Sequence, residues 1–167
     1  MFSKKLITLL VLMIVMVAGT AMAGDDAGWK LYGKLHQSLN SMNDSDNSQL
    51  GLSSNTSRFG IKGYKELNEN FKIIWQVENF VNIANGGGVL SSRNTFIGLK
   101  GNWGSFIGGI HDSPFKTIYR KTTFFYDTVG DGRSTLMGWD QRYNEMLMYT
   151  TPALGAFKVA LQYRMDQ

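Results

Sequence analysis

Two carboxylates and three basic side chains are the groups of this sequence best placed to act on ions. Asp127 and Asp131 flank a glycine-containing turn, and Lys34, Arg58 and Lys62 occupy positions of equal parity in two strand-like runs. Fixed charges act on ions and dipolar solutes without any covalent step. A simpler interpretation also fits, because Asp-Gly favours turns and a half-solvated strand alternates in the same way. The residues alone leave both interpretations open.

No catalytic set is predicted from the sequence. The two histidines, His36 and His111, fall on different predicted strands, and the G-x-S-x-G motif of a nucleophile elbow does not occur. Because such motifs count only in their structural context, we predict no catalytic residue and no enzyme.

Metal and cofactor sites are not predicted either. Asp44 and Asp46 lie in a polar link, but Gln49 stands where a calcium-binding loop needs glycine, and the matching glutamate is missing. The glycine run 86–88 lacks the lysine and hydroxyl residues of a phosphate-binding loop. There is no cysteine, which excludes disulfides and thiolate ligands.

The elements that must position the charged residues are predicted to be strands. Apolar and polar residues alternate along most of the chain after residue 28, which is typical of strands with two different faces. The predicted strands are 29–42, 49–65, 71–83, 93–100, 105–111, 143–151 and 156–165.

The links between these strands alternate between long and short. This pattern is typical of an antiparallel up-and-down barrel in an outer membrane, where external loops are long and periplasmic turns are short. The hairpin 93–111 is apolar on both faces, which equally fits the central strand pair of a soluble sandwich.

The longest link, 112–142, exceeds the usual length of a loop without a function. Ser113-Pro114 is typical of a helix start, and Phe115, Ile118 and Phe125 recur at helical spacing. We therefore expect a short amphipathic helix that lies against the wall of the barrel, and a tip that carries the two carboxylates.

The first 23 residues are predicted to be a cleaved signal peptide. Lys4 and Lys5 precede an apolar run that is too short to span a bilayer, and Ala21-Met22-Ala23 resembles a cleavage site. Without the two lysines the formal net charge falls from +4 to +2. That charge is too small to indicate nucleic acid as a partner.

Several segments, taken together and in order, resemble Gram-negative general diffusion porins. Ser57 to Gly63 with Glu66-Leu67 resembles the second strand and turn of that family, 93–108 resembles its fourth and fifth strands, and Arg142 to Pro152 resembles the strand after its inward-folded third loop. The resemblance runs from about Trp29 to the end. It implies a 16-stranded barrel, of which residues 24–167 form the N-terminal part.

The resemblance also implies a function and a site. The family forms trimeric outer-membrane channels for passive diffusion of small hydrophilic solutes and ions, with outer-membrane lipid around them. On this basis Asp127 and Asp131 form the acidic side of a pore constriction, and the basic wall consists of Lys34, Arg58, Lys62 and Arg93. Two alternatives are a small outer-membrane barrel with a structural or adhesive role and no open channel, and a soluble periplasmic ligand-binding domain.

Overall fold

The computed structural model describes residues 26–44, 47–84, 90–128, 131–132 and 140–165. The predicted signal peptide and part of the long link lie outside these ranges. The described part contains ten strand segments and one helix: β1 Ala27–Lys34, β2 Gln37–Asp44, β3 Asn47–Ser54, β4 Arg58–Asn68, β5 Phe71–Val81, β6 Leu90–Ser92, β7 Thr95–Gly101, β8 Gly104–Asp112, α1 Pro114–Thr122, β9 Arg142–Thr150 and β10 Ala160–Arg164.

The main sheet is an antiparallel meander in the order β1-β4-β5-β7-β8-β9-β10, with β6 paired beside β5. β2 and β3 pair with each other in a separate two-stranded sheet that continues the first hairpin. The predicted antiparallel, up-and-down arrangement of seven strands is therefore confirmed. Within the described residues the sheet stays open, because β1 and β10 are its two edges.

The first two predicted strands are each interrupted, which the sequence pattern did not indicate. Residues 35–36 and 55–57 separate β1 from β2 and β3 from β4. Ser57 closes this gap: its hydroxyl accepts from the His36 N–H at 3.0 Å and donates to the His36 carbonyl at 3.1 Å. The last strand is shorter than predicted, since β10 begins at Ala160 rather than at residue 156.

The register gives the sheet two chemically different faces. Because side chains alternate along a strand, one face carries Lys34, Arg58 and Glu78, and we call it the inner face. The opposite, apolar face exposes large hydrophobic side chains along its whole width: Phe59, Val77, Ile97, Leu99, Phe106, Leu161 and Tyr163. Such a face suits hydrocarbon rather than water.

The hairpin β7–β8 is apolar on both faces, as predicted. Ile97 and Leu99 lie on the apolar face, whereas Ile107 is buried on the inner face together with Met146 and Met148. This small inner cluster occupies the part of the wall from which the long link departs.

The helix α1 begins as predicted but packs through the opposite side. The Ser113 hydroxyl caps it by accepting from the Lys116 N–H at 3.1 Å, with proline at the first position. Lys116 is buried, while Phe115 and Ile118 are exposed. In the described residues the charged side of α1 therefore faces the wall, because ion pairs of Lys116 and Arg120 hold it there. No helix in the described ranges is long and apolar enough to cross a bilayer.

Gly104 provides a test of the short turn between β7 and β8. Its φ is +116°, and an added Cβ would lie 2.2 Å from the Thr150 carbonyl oxygen. We expect Gly104→Ala to destabilise the folded protein by at least about 1 kcal/mol. Gly51→Ala is the matched control, since nothing lies within 4 Å of its added Cβ. The temperature at which the folded band disappears on a detergent gel measures the effect, and equal temperatures for the two variants would contradict it.

Candidate functional site

The tip of the long link reaches across to the first hairpin. The Asp127 carboxylate lies 3.9 Å from the Lys34 ammonium and 3.8 Å from the Arg58 guanidinium. Its side chain is 1% exposed, whereas that of Lys34 is 43% exposed. The link therefore folds over the inner face and places one acidic group against two of the predicted basic residues.

Asp131 holds the tip in shape. Its carboxylate accepts from the backbone N–H of Asp127 at 2.8 Å. Asp127 itself has a φ of +59°, a conformation that aspartate tolerates better than most residues. Of the two predicted acidic residues, Asp127 contacts the wall, and Asp131 binds the backbone that presents it.

Arg58 and Arg93 meet at a carboxylate that the sequence analysis missed. Glu78, on β5, lies 2.7 Å from the Arg93 Nε and 3.8 Å from the Arg58 Nε. It also accepts a hydrogen bond from the Tyr32 hydroxyl at 2.9 Å. Glu78 and Arg93 are both buried, so the predicted wall is an alternating acid–base row rather than a purely basic one.

Gly60 makes this arrangement sterically allowed. It stands between Tyr32 and Glu78 in the strand register. A Cβ at this position would lie 2.6 Å from the Tyr32 hydroxyl. The absent side chain leaves room for the Tyr32 ring to cross β4 and reach Glu78 on the next strand.

Lys62 lies away from the acidic tip. Its ammonium stands over the Tyr32 ring, 5.1 Å from the centroid. It lies four positions after Arg58 on β4, in the direction of the short turn at 69–70. The structure therefore brings Lys34 and Arg58 to Asp127, places Arg93 behind them against Glu78, and puts Lys62 further along the wall.

The base of the long link is fastened by a second buried ion cluster. Asp112, the last residue of β8, lies 2.9 Å from the Arg142 Nη2 and 3.0 Å from the Arg120 Nη1. Asn94 donates to the same carboxylate at 3.2 Å and accepts from Arg142 at 2.8 Å. We call Asp112, Arg120 and Arg142 the loop anchor.

The strand register explains why the anchor holds both ends of the link. Asp112 and Arg142 are directly opposite each other in the β8–β9 ladder. Lys116 on α1 adds a further ion pair with the Asp140 carboxylate, at 3.4 Å. The link thus begins and ends at one point of the wall, and α1 is tied there through its charged side.

Part of what was missed could have been found in the sequence. Glu78 shares the parity of Gln76 on a strand whose other face is apolar, which already indicates the inner face. Asp112 and Arg142 stand at the two ends of the long link and carry opposite charges. The sequence offers no signal for their three-way contact with Arg120, because that contact depends on the direction of the helix.

The arrangement can act on solutes electrostatically. Opposite charges lie side by side on the inner face, where Asp127 contacts Lys34 and Arg58, and low-dielectric walls focus the field around them. Such a field orients ions and dipolar solutes and disfavours apolar ones. Among the described residues no group of His, Cys, Asp or Glu is suited to hold a metal ion.

Solved structures with a similar fold include a porin and an outer membrane protein. An anion-selective porin from Comamonas acidovorans superposes with a TM-score of 0.71 at 22% identity, over 84% of this chain and 47% of that one. The trimer form of OmpT, an outer membrane protein of Vibrio cholerae, gives a TM-score of 0.64 at 20% identity, over 84% of this chain and 42% of that one. These likenesses establish the fold.

Sequence relatives point to the same class. Chitoporin from Vibrio furnissii is 29% identical over 151 residues, which is 81% of this chain and 40% of the relative. The major outer membrane protein P.IB of Neisseria gonorrhoeae is 27% identical over 110 residues, 64% of this chain and 32% of the relative. The chain thus spans less than half the length of these relatives. The sequence profile of the Gram-negative porins matches residues 8–167, and the chain therefore belongs to the Gram-negative porin family.

Proposed function

We propose that this chain forms part of an outer-membrane channel for the passive diffusion of small hydrophilic solutes and ions. The observation that carries the proposal is the contact of Asp127 with Lys34 and Arg58 over the inner face. The link crosses the concavity and carries a charged tip. It therefore narrows the passage and determines the electric field inside it. Family membership places the protein in the outer membrane of a Gram-negative cell.

The constriction in this proposal consists of Asp127, supported by Asp131, against Lys34, Arg58 and, behind them, Arg93. Lys62 belongs to the same wall but lies nearer the short turns. The activity is transport rather than catalysis. We further propose a homotrimer whose apolar faces contact lipid and neighbouring subunits, supported by the trimeric state of one structural neighbour.

Conductance is the direct test. The gene product, expressed in a porin-deficient Gram-negative host and purified from its outer membranes, is expected to give stepwise, water-filled conductance in planar bilayers. A protein that migrates as a folded species in detergent gels but gives no conductance would support the structural-barrel alternative instead. Release with the periplasmic extract would support the soluble alternative.

Asp127→Asn tests the acidic side of the constriction. Removing this charge leaves Lys34 and Arg58 facing the opening, so the permeability ratio should shift towards anions. Unit charges about 4 Å apart in water interact by about 1 kcal/mol, which corresponds to about a fivefold change. The reversal potential in a salt gradient measures it.

Asp131→Asn tests whether Asp131 acts by holding the Asp127 backbone in position or by its own negative charge. Because Asp131 binds the Asp127 backbone, we expect a smaller change in selectivity and a noisier open-channel current from this variant. If neither variant changed the reversal potential, the tip of the link would not be part of the constriction.

A further inference from the structure

A second group of cations lies on the inner face, separate from the contacts of Asp127. The register places Lys30 directly opposite Lys62, and Lys72 directly opposite Lys100. All four line one cavity of about 630 Å³, a volume within the range of small-molecule pockets. We call these four residues the lysine site.

The lysine site is costly for the sheet by itself. Like charges directly opposite each other on neighbouring strands destabilise the pair. Lys72 has a counter-charge in Glu66, at 3.2 Å. Among the described residues, Lys30 and Lys100 have no ion-pair partner. Among the described residues Glu66 is the one carboxylate that pairs with these four lysines, so the concavity keeps an excess of positive charge.

Aromatic rings hold two of the ammonium groups in place. Lys62 stands over the Tyr32 ring, and Lys72 stands over the Tyr64 ring at 5.3 Å from the centroid. These ring contacts position the ammonium groups without neutralising them. Lys72 is partly offset by Glu66, whereas Lys62 remains available to an anion.

An apolar floor separates the two lysine pairs. Tyr64 and Ile74 face each other across β4 and β5, with Gly28 beside Tyr64 in the register. The two lysine rows are four residues apart on β5, from Lys72 to Gln76, which is about 13 Å along the strand. The site therefore has a positive group at each end and an uncharged surface between them.

We propose that the lysine site binds an elongated solute that carries anionic groups at both ends and a sugar or other ring between them. The anionic ends lie on the two lysine pairs, and the ring lies on Ile74 beside Tyr64. The inference rests on the proposed channel, and the site lies between the constriction and the short turns. It serves as a binding station on the pathway, distinct from the field at Asp127.

Blocking of single-channel current tests this proposal with a defined probe. Trigalacturonate, a chain of three carboxylated sugars whose two outer carboxylates supply the anionic ends, is expected to cause transient blocks when added on the short-turn side. Maltotriose, an uncharged trisaccharide, is expected to cause few. Raising the salt concentration should shorten the trigalacturonate blocks, because exposed charges are screened.

The double variant Lys30→Gln/Lys100→Gln should shorten the blocks by about tenfold. The matched control is Lys65→Gln, whose side chain faces away from the site and pairs with Asp26. If the double variant does not fold, the difference in block duration between the charged and the neutral trisaccharide on the unmodified channel still tests the proposal.

The outcomes separate the site from the channel. Absence of conductance would overturn the proposed function itself. Normal conductance with equal blocking by the two trisaccharides, or with blocks unchanged in the double variant, would overturn the lysine site alone.

Discussion

Asp112→Asn is expected to release the long link from the wall and to destabilise the channel strongly. Asp112 is 1% exposed and lies between two guanidinium groups. Asparagine keeps the size but removes the charge, which leaves Arg120 and Arg142 without their carboxylate. Breaking one side of a buried ion pair typically costs about 3–5 kcal/mol.

The substitution should mainly change the position of the link, because Asp112 and Arg142 stand at its two ends. We expect a noisy open-channel current with variable conductance levels. We also expect faster cleavage of the link by added protease in the assembled protein. Both measurements report the position of the link rather than the folding of the whole sheet.

Asp26→Asn is the matched control for this experiment. Asp26 forms an ion pair with Lys65, but both side chains are more than half exposed. Exposed pairs contribute about 0–1 kcal/mol, so this variant should behave like the unmodified channel. Equal noise and equal protease resistance in the two variants would show that the loop anchor does not position the link.

The sequence could predict the loop anchor only in part. The limits of the link are readable because strand alternation stops at Asp112 and resumes at Arg142, and its helix start is readable from Ser113-Pro114. The sequence does not, however, show which side of α1 packs against the wall. A helical periodicity shows that two faces differ but not which neighbour meets each face. Here Lys116 and Arg120 find carboxylates, so the charged side turns inward.

The wall shows the same limit. Alternation correctly separates an apolar face from an inner face, because the period of two is a property of every strand. It does not give the register between strands that are not yet paired. Alternation therefore shows Glu78 only as one polar residue of the inner face, and its position between Arg58 and Arg93 requires the aligned ladder. The gap at residues 35–36 and 55–57 also depends on a tertiary contact, that of Ser57.

Glu78→Gln is expected to shift the channel strongly towards anions. Its carboxylate offsets Arg93, at 2.7 Å, and Arg58, at 3.8 Å. Glutamine can still accept the hydrogen bond from Tyr32, but the buried Arg93 loses its carboxylate, so the variant removes one negative charge and also lowers stability. With Asp127 left as the nearest acid to Arg58, the wall gains a net positive charge. We expect a change of about tenfold in the permeability ratio, read from the reversal potential.

Two further variants identify charge as the cause. Glu78→Asp keeps the charge on a shorter side chain and should retain most of the original selectivity. Glu69→Gln removes an exposed carboxylate in the turn between β4 and β5, and it should change the permeability ratio little. If Glu78→Asp shifts selectivity as far as Glu78→Gln, the position of Arg58 rather than the charge of Glu78 governs the field. If none of the three variants shifts the reversal potential, the electric field of the ion pairs behind the wall does not act on the permeating ion.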